Sequence, residues 1–238
     1  MAKYKVLSTK KLDPLLIEQA KRNDIEIIEH EFISVKPVTG KEKWDEVFNY
    51  IQQQAYIVFT SANAVEAIKK YLHPYINYNV IDWKIFCLSG KTKETIEAGA
   101  DLSGSVIDTA DNAVDLANKI VNSGIKELIF FCGDKRRDEL PAILKAAEID
   151  VHEVVVYKTV ETPIVIKEDY DAVLFFSPSA VNSFFSVNQL KEDSVCFAIG
   201  QTTADAIGDY TQNKIIVNKT PAQREMLESV SFYFGGSM

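Results

Sequence analysis

The sequence predicts an α/β protein of two similar lobes, each a parallel sheet with helices packed on its faces. Three observations predict this. Short apolar strands alternate with segments of helical spacing along the 238 residues. The strands are continuous apolar runs, such as Leu128 to Cys132 and Ala172 to Phe176, as expected where both faces of a sheet are covered. The pattern also occurs twice, with its opening units about 124 positions apart, so duplication favours two lobes over one large sheet.

The first copy opens with a strand at Lys5 to Thr9, a helix at Leu12 to Arg22 and an extended run from Ile25 to Val38. Its counterparts are Leu128 to Gly133, Leu140 to Ala147 and Ile149 to Val160, which lays Ile25-Glu26-Ile27 on Ile149-Asp150-Val151. The two trailing runs are predicted to connect the lobes. The second is β-branched at Val154 to Val156, continues through Tyr157 and ends at Pro163.

The next unit is strand, hydroxyl-rich turn, helix. Tyr56 to Val65 matches Ala172 to Val181, with Phe59 on Phe175 and Ser61 on Ser177, and Val65, Ile68 and Leu72 follow at helical spacing. The third is strand, glycine turn, helix: Ile85 to Thr92 matches Val195 to Thr202, with Gly90 on Gly200. Val38 to Asp45 and Asp101 to Asn112 read as surface connections. The tail reads as a strand ending near Val217 and a helix with Thr220 as N-cap and Pro221 at its first helical position.

Composition narrows the function classes. Apolar residues make up 47% and charged residues 25%, ordinary values for a soluble globular chain. The apolar runs are far shorter than the roughly 20 residues of a membrane span. The N-terminus enters a strand without a signal-peptide core, so cytoplasmic residence is expected. A net charge of -8 argues against nonspecific nucleic-acid binding. Cys87, Cys132 and Cys196 sit in apolar strand patterns and read as buried free thiols. His30, His73 and His152 have no metal-ligand spacing.

In open α/β sheets, ligands bind beyond the carboxyl ends of the strands. The turns there are rich in glycine and small hydroxyl residues at helix starts: Thr9 to Lys11, Thr60 to Asn63, Ser89 to Thr92, Gly133 to Arg137, Ser177 to Ser179 and Gly200 to Thr203. Free backbone N–H groups and the positive helix end suit carboxylates or phosphates. Each turn equally fits an ordinary helix cap. Nucleotide-binding and nucleophile-elbow signatures are missing, which leaves a cofactor-free enzyme or a binding protein. Tyr157 is either an aromatic packed on a pleated surface or a phenol facing a cleft. A phenol keeps its proton at neutral pH and can serve as an acid.

With these pieces in order, nearly the whole chain resembles the uroporphyrinogen-III synthase family. The resemblance is carried by Phe59-Thr-Ser-Ala-Asn-Ala-Val-Glu-Ala67, by Gly133 with Arg137 and Leu140, and by Val156-Tyr-Lys-Thr159. It continues through Phe175-Phe-Ser-Pro-Ser-Ala180, Ile199-Gly-Gln-Thr-Thr-Ala204 and the tail from Pro221 to Leu227. Lys10 and the Ser89 to Lys93 turn depart from the family's usual residues.

The resemblance implies two flavodoxin- or Rossmann-like lobes joined by a two-stranded antiparallel ladder. One lobe would combine residues 1–32 and 162–238, the other 38–152, with 33–37 and 153–161 as the ladder. The implied activity is that of a lyase of haem biosynthesis, cyclising hydroxymethylbilane with inversion of the terminal pyrrole ring and loss of water. No metal or organic cofactor is implied, and the protein is expected to be a monomer without nucleic-acid or membrane partners. Tyr157 would be the general acid. Thr60, Ser61, Thr92, Ser177, Ser179, Thr202 and Thr203 would hold the substrate's carboxylates. The alternative is a non-catalytic two-lobed cytoplasmic binder of an anionic metabolite.

Overall fold

The computed structural model describes residues 3–38, 40, 44–45, 47, 54–72, 82–98, 102 and 106–235. They divide into two compact units, Met1–Ser34 with Val160–Met238, and Val35–Thr159.

In the first unit β1 (Tyr4–Ser8), β2 (Ile25–Glu29), β9 (Ala172–Phe175), β10 (Val195–Ala198) and β11 (Ile215–Val217) form one sheet in the order β11-β10-β9-β1-β2. All of its pairings are parallel. Neighbouring strand residues point to opposite faces, and both faces are apolar. Val6, Leu174 and Phe197 pack with α1 (Pro14–Arg22) and α8 (Gln223–Gly235), through Leu16, Met226 and Val230. Leu7, Val173, Phe175 and Cys196 pack on the other face with α6 (Pro178–Phe185) and α7 (Gln201–Gly208). Asp13 caps α1 by accepting the Leu15 N–H at 2.8 Å, with Pro14 at the first helical position.

The second unit has the order β3-β8-β7-β4-β5-β6. Its strands are β3 (Ile33–Pro37), β4 (Ala55–Phe59), β5 (Trp83–Leu88), β6 (Val106–Ala110), β7 (Glu127–Gly133) and β8 (Asp150–Glu161). One face packs Ile57, Phe59, Ile85 and Phe131 against Val65 and Ile68 of α2 (Ala62–Leu72) and Ile96 of α3 (Lys91–Glu97). The other packs Val58, Phe86 and Phe130 against α4 (Ala113–Asn122) and α5 (Glu139–Ala146). Cys87, Cys132 and Cys196 are buried and belong to no disulfide.

The chain leaves the first unit within β3 and re-enters it within β8. These strands are neighbours, and their backbone bonds run antiparallel: Val38 N–H donates to the Val156 carbonyl at 3.0 Å, and Thr162 N–H to the Phe32 carbonyl at 2.9 Å. Among the described residues no helix is long and apolar enough to cross a membrane.

Three expectations need correction. The run from Ile25 to Val38 is two strands, because β2 stays beside β1 while Phe32 turns into the core before β3 begins. Its counterpart in the second copy, β8, is unbroken. Asp101 to Asn112 is no simple connection, since Val106–Ala110 pairs with β5; Asp108 interrupts the apolar pattern that would have marked a strand. The tail helix starts at Gln223 instead of Pro221, because a turn between the Ala222 N–H and the Thr220 carbonyl, 2.9 Å, occupies the approach. The segment from Val38 to Asp45 lies partly outside the described residues.

Phe32 is fully buried and meets the edge of Phe184, with ring centroids 5.3 Å apart. Phe32→Ala is expected to lower stability by about 3–5 kcal/mol in urea unfolding. A loss below about 1 kcal/mol would contradict its place in the core.

Candidate active site

Tyr157 owes its orientation to an irregularity in β8. The β7–β8 register advances one for one from Glu127 opposite Asp150 to Cys132 opposite Val155, then skips so that Gly133 faces Tyr157. The extra residue is a β-bulge, which re-aims the side chain that follows it. Without it Tyr157 would share the face of Val155, against α4 and α5. With it, the ring packs beside Val154 and Val156 on the cluster containing Phe59 and Phe131.

Gly133 provides the floor of this position. A β-carbon there would run into Cζ, Cε2 and Oη of Tyr157, the last at 2.7 Å, well inside van der Waals contact. The neighbouring turn fixes the backbone around the ring. Asp134 donates its N–H to the Tyr157 carbonyl at 3.1 Å and accepts the Thr159 N–H on Oδ1 at 2.9 Å.

The Tyr157 hydroxyl donates to Ser61 Oγ at 3.1 Å. Ser61 stands at the start of α2, where its Oγ also accepts the Asn63 N–H at 3.1 Å and its carbonyl accepts the Ala64 N–H at 3.1 Å. With both contacts arriving at the oxygen lone pairs, the serine's own proton is free to turn toward a ligand or a phenolate. Thr60, partly exposed, lies beside it at the end of β4.

The other expected residues occupy helix starts. Thr92 is in the first turn of α3, and at 6% exposure its hydroxyl has little surface to offer. In the first unit Ser177 caps α6, accepting the Ala180 N–H on Oγ at 3.2 Å, and Ser179 is partly exposed in the first turn. Thr202 is exposed on α7, whereas Thr203 is only 3% exposed. β9 and β10 are adjacent, so the starts of α6 and α7 follow neighbouring strands. A cavity of about 370 Å³ between α1 and α8, lined by Leu16, Asn23, Leu227 and Phe232 among others, contains none of these residues.

The thiols are poor candidates for chemistry. Burial pushes Cys87 up to about 11 and Cys196 up to about 12, so neither is a thiolate near neutrality. Among the described residues no group of three or more His, Cys, Asp or Glu is placed to hold a metal ion. The sequence reading named the Gly133 turn without seeing that it supports Tyr157. The signal was present, since a glycine closing an apolar strand often marks a close approach.

A two-unit α/β chain whose phenol rests on a strand-terminal glycine and bonds a helix-capping serine can be compared with known proteins. Residues 15–228 match the sequence model of the family described as Uroporphyrinogen-III synthase HemD. The chain belongs to the uroporphyrinogen-III synthase family. A uroporphyrinogen-III synthase of Saccharomyces cerevisiae is 26% identical, the match covering 78% of each chain. The fold is similar to the crystal structure of uroporphyrinogen-III synthetase from Helicobacter pylori, with a TM-score of 0.63, 17% identity, and 95% of this chain and 98% of the other covered. A mutant uroporphyrinogen III synthase from Thermus thermophilus gives a TM-score of 0.61 at 14% identity, covering 95% and 97%.

Replacing Gly133 by alanine forces the Tyr157 ring to move. Because a side chain and not backbone must yield, Gly133→Ala is expected to fold with a loss of about 1–3 kcal/mol. With Tyr157 as the expected general acid, turnover should fall about 100-fold, the scale of a 1 Å misplacement of a reacting group. Wild-type turnover in this variant would contradict the close approach.

Proposed function

We propose that this chain is a uroporphyrinogen-III synthase, cyclising hydroxymethylbilane to the type III isomer with loss of water. The observation that carries the assignment to residues is the Tyr157 hydroxyl, set over Gly133 and bonded to Ser61 at 3.1 Å. Tyr157 donates its proton to the departing terminal hydroxyl, which leaves as water and generates an electrophilic azafulvenium cation beside the phenolate. Ser61 then turns its own O–H toward the phenolate oxygen and stabilises it, while the Asn63 N–H keeps the serine oxygen in place. Attack by the far pyrrole gives the spiro intermediate. Rearrangement and closure release one pyrrole C–H proton, which returns to the phenolate. One acid therefore balances the whole reaction, and no cofactor is required by this scheme.

Unaided closure gives the uninverted isomer, so the protein must also hold the bilane in the inverting conformation. Thr60, Ser61 through its backbone N–H, and the exposed part of the Thr92 turn are proposed as carboxylate contacts in the second unit. Ser177, Ser179, Thr202 and Thr203 are a further set in the first. The burial of Thr92 and Thr203 favours contact through their turns more than through their hydroxyls. We place the activity in the cytoplasm, with the protein acting as a monomer and without nucleic-acid or membrane partners.

The test is the isomer assay. Purified protein given hydroxymethylbilane should yield type III product after oxidation and chromatography. Type I alone, at the spontaneous rate, would overturn the assignment. If calorimetry then found tight binding of the polyacid, the protein would be a non-catalytic binder.

A further inference from the structure

Among the described residues Lys10 is a cation without an anionic partner. It follows β1 in the first unit, partly buried, and its Nζ lies 5.1 Å from the centre of the Phe176 ring. Among the described residues its ammonium makes no hydrogen bond or ion pair. The neighbouring charges are committed elsewhere: Lys11 pairs with Glu31 at 3.6 Å, and Glu29 accepts the Leu12 N–H at 2.6 Å.

The turn that presents Lys10 is rigid. Ser8, fully buried, donates its hydroxyl to the Lys10 carbonyl at 2.6 Å and accepts the Lys10 N–H at 3.4 Å. Thr9, 1% exposed, sends both its N–H and its hydroxyl to the Leu174 carbonyl, at 3.1 and 2.8 Å. The backbone of Lys10 is thus locked to the ends of β1 and β9, the same end of the sheet from which Ser177 caps α6. Burial pushes the Lys10 ammonium below the usual lysine range, with no carboxylate to offset it. Holding an unpaired, partly desolvated charge costs stability, and a locked turn makes that cost unavoidable. Such a group is explained if an anion completes it in the working protein.

We propose that Lys10 is a specificity residue of the reaction, binding one carboxylate arm of the tetrapyrrole through a charge-assisted hydrogen bond over Phe176. This rests on the reading of the chain as a synthase. The ring beneath the ammonium limits its approach to one side and shields the contact from water, which strengthens it. The interaction is with a ground-state group that persists through the reaction, so it governs binding more than chemistry.

The experiment compares the full-length wild type with Lys10→Met and Lys10→Arg, measuring kcat and KM for hydroxymethylbilane together with thermal unfolding. Lys10→Met should raise KM about tenfold, the scale of one charge-assisted hydrogen bond, with kcat within about twofold. Its melting temperature should stay level or rise, because an unpaired charge has been removed. Lys10→Arg should keep KM within about threefold of wild type, since the charge and its donors remain. A purely structural lysine would give a lower melting temperature and unchanged KM in Lys10→Met, and that result overturns the proposal. An unchanged KM at unchanged stability overturns it equally. If Lys10→Met fails to fold, Lys10→Gln takes its place, and a wild-type KM in that variant overturns the proposal. Absence of type III product from the wild type would instead remove the synthase reading itself.

Discussion

The contact between the Tyr157 ring and Gly133 is the constraint from which the site follows. A ring can lie there only because the last residue of β7 has no side chain and because β8 carries an extra residue just before it. The bulge selects the face, the glycine permits the depth, and the Asp134 contacts hold the backbone on either side. Ser61 then receives a hydroxyl whose direction is already settled. None of these features alone would make a phenol useful. Together they convert a strand residue into a positioned hydrogen-bond donor at little entropic cost, because an aromatic side chain has only two torsions to fix.

How a protein of net charge -8 can hold a polyacid is resolved by scale. Screening confines the overall field to about 8 Å at physiological ionic strength. In the proposed reaction the substrate's carboxylates are held by local groups within each unit: the hydroxyls and N–H groups at the start of α2 in the second, and those at the starts of α6 and α7 with the Lys10 ammonium in the first. Weak single contacts of this kind suit a substrate that must be held in a folded conformation and then released as product. The negative remainder of the surface favours solubility.

Much of the fold was legible because duplication repeats each signal. The buried strands at Val173 to Phe175 and Ile57 to Phe59 were visible as apolar runs, and Ser177-Pro178 announced the start of α6. What was not legible depended on partners. The bulge before Tyr157 exists only relative to β7, and no property of Val155-Val156-Tyr157 alone reveals it. β6 was hidden by Asp108, whose carboxylate is held by Lys119 at 2.7 Å, a pairing visible only once the chain has folded. The break at His30 to Phe32 arises because Phe32 finds a pocket against Phe184, far along the sequence. At the site, residue type was readable for Tyr157 and Ser61, but their bond across 96 positions was not. The burial of Thr203 was likewise set by tertiary packing.

The most direct test of this account is a double-mutant cycle on single-turnover ring closure with Tyr157→Phe, Ser61→Ala and the pair. Tyr157→Phe should slow the chemical step about 100-fold, within the range of general acid catalysis, and Ser61→Ala about tenfold. The double variant should be no slower than Tyr157→Phe alone, because Ser61 acts on the chemistry through the phenol. Losses that multiply, or a Tyr157→Phe rate equal to wild type, would contradict the pairing of these two hydroxyls as the centre of the reaction.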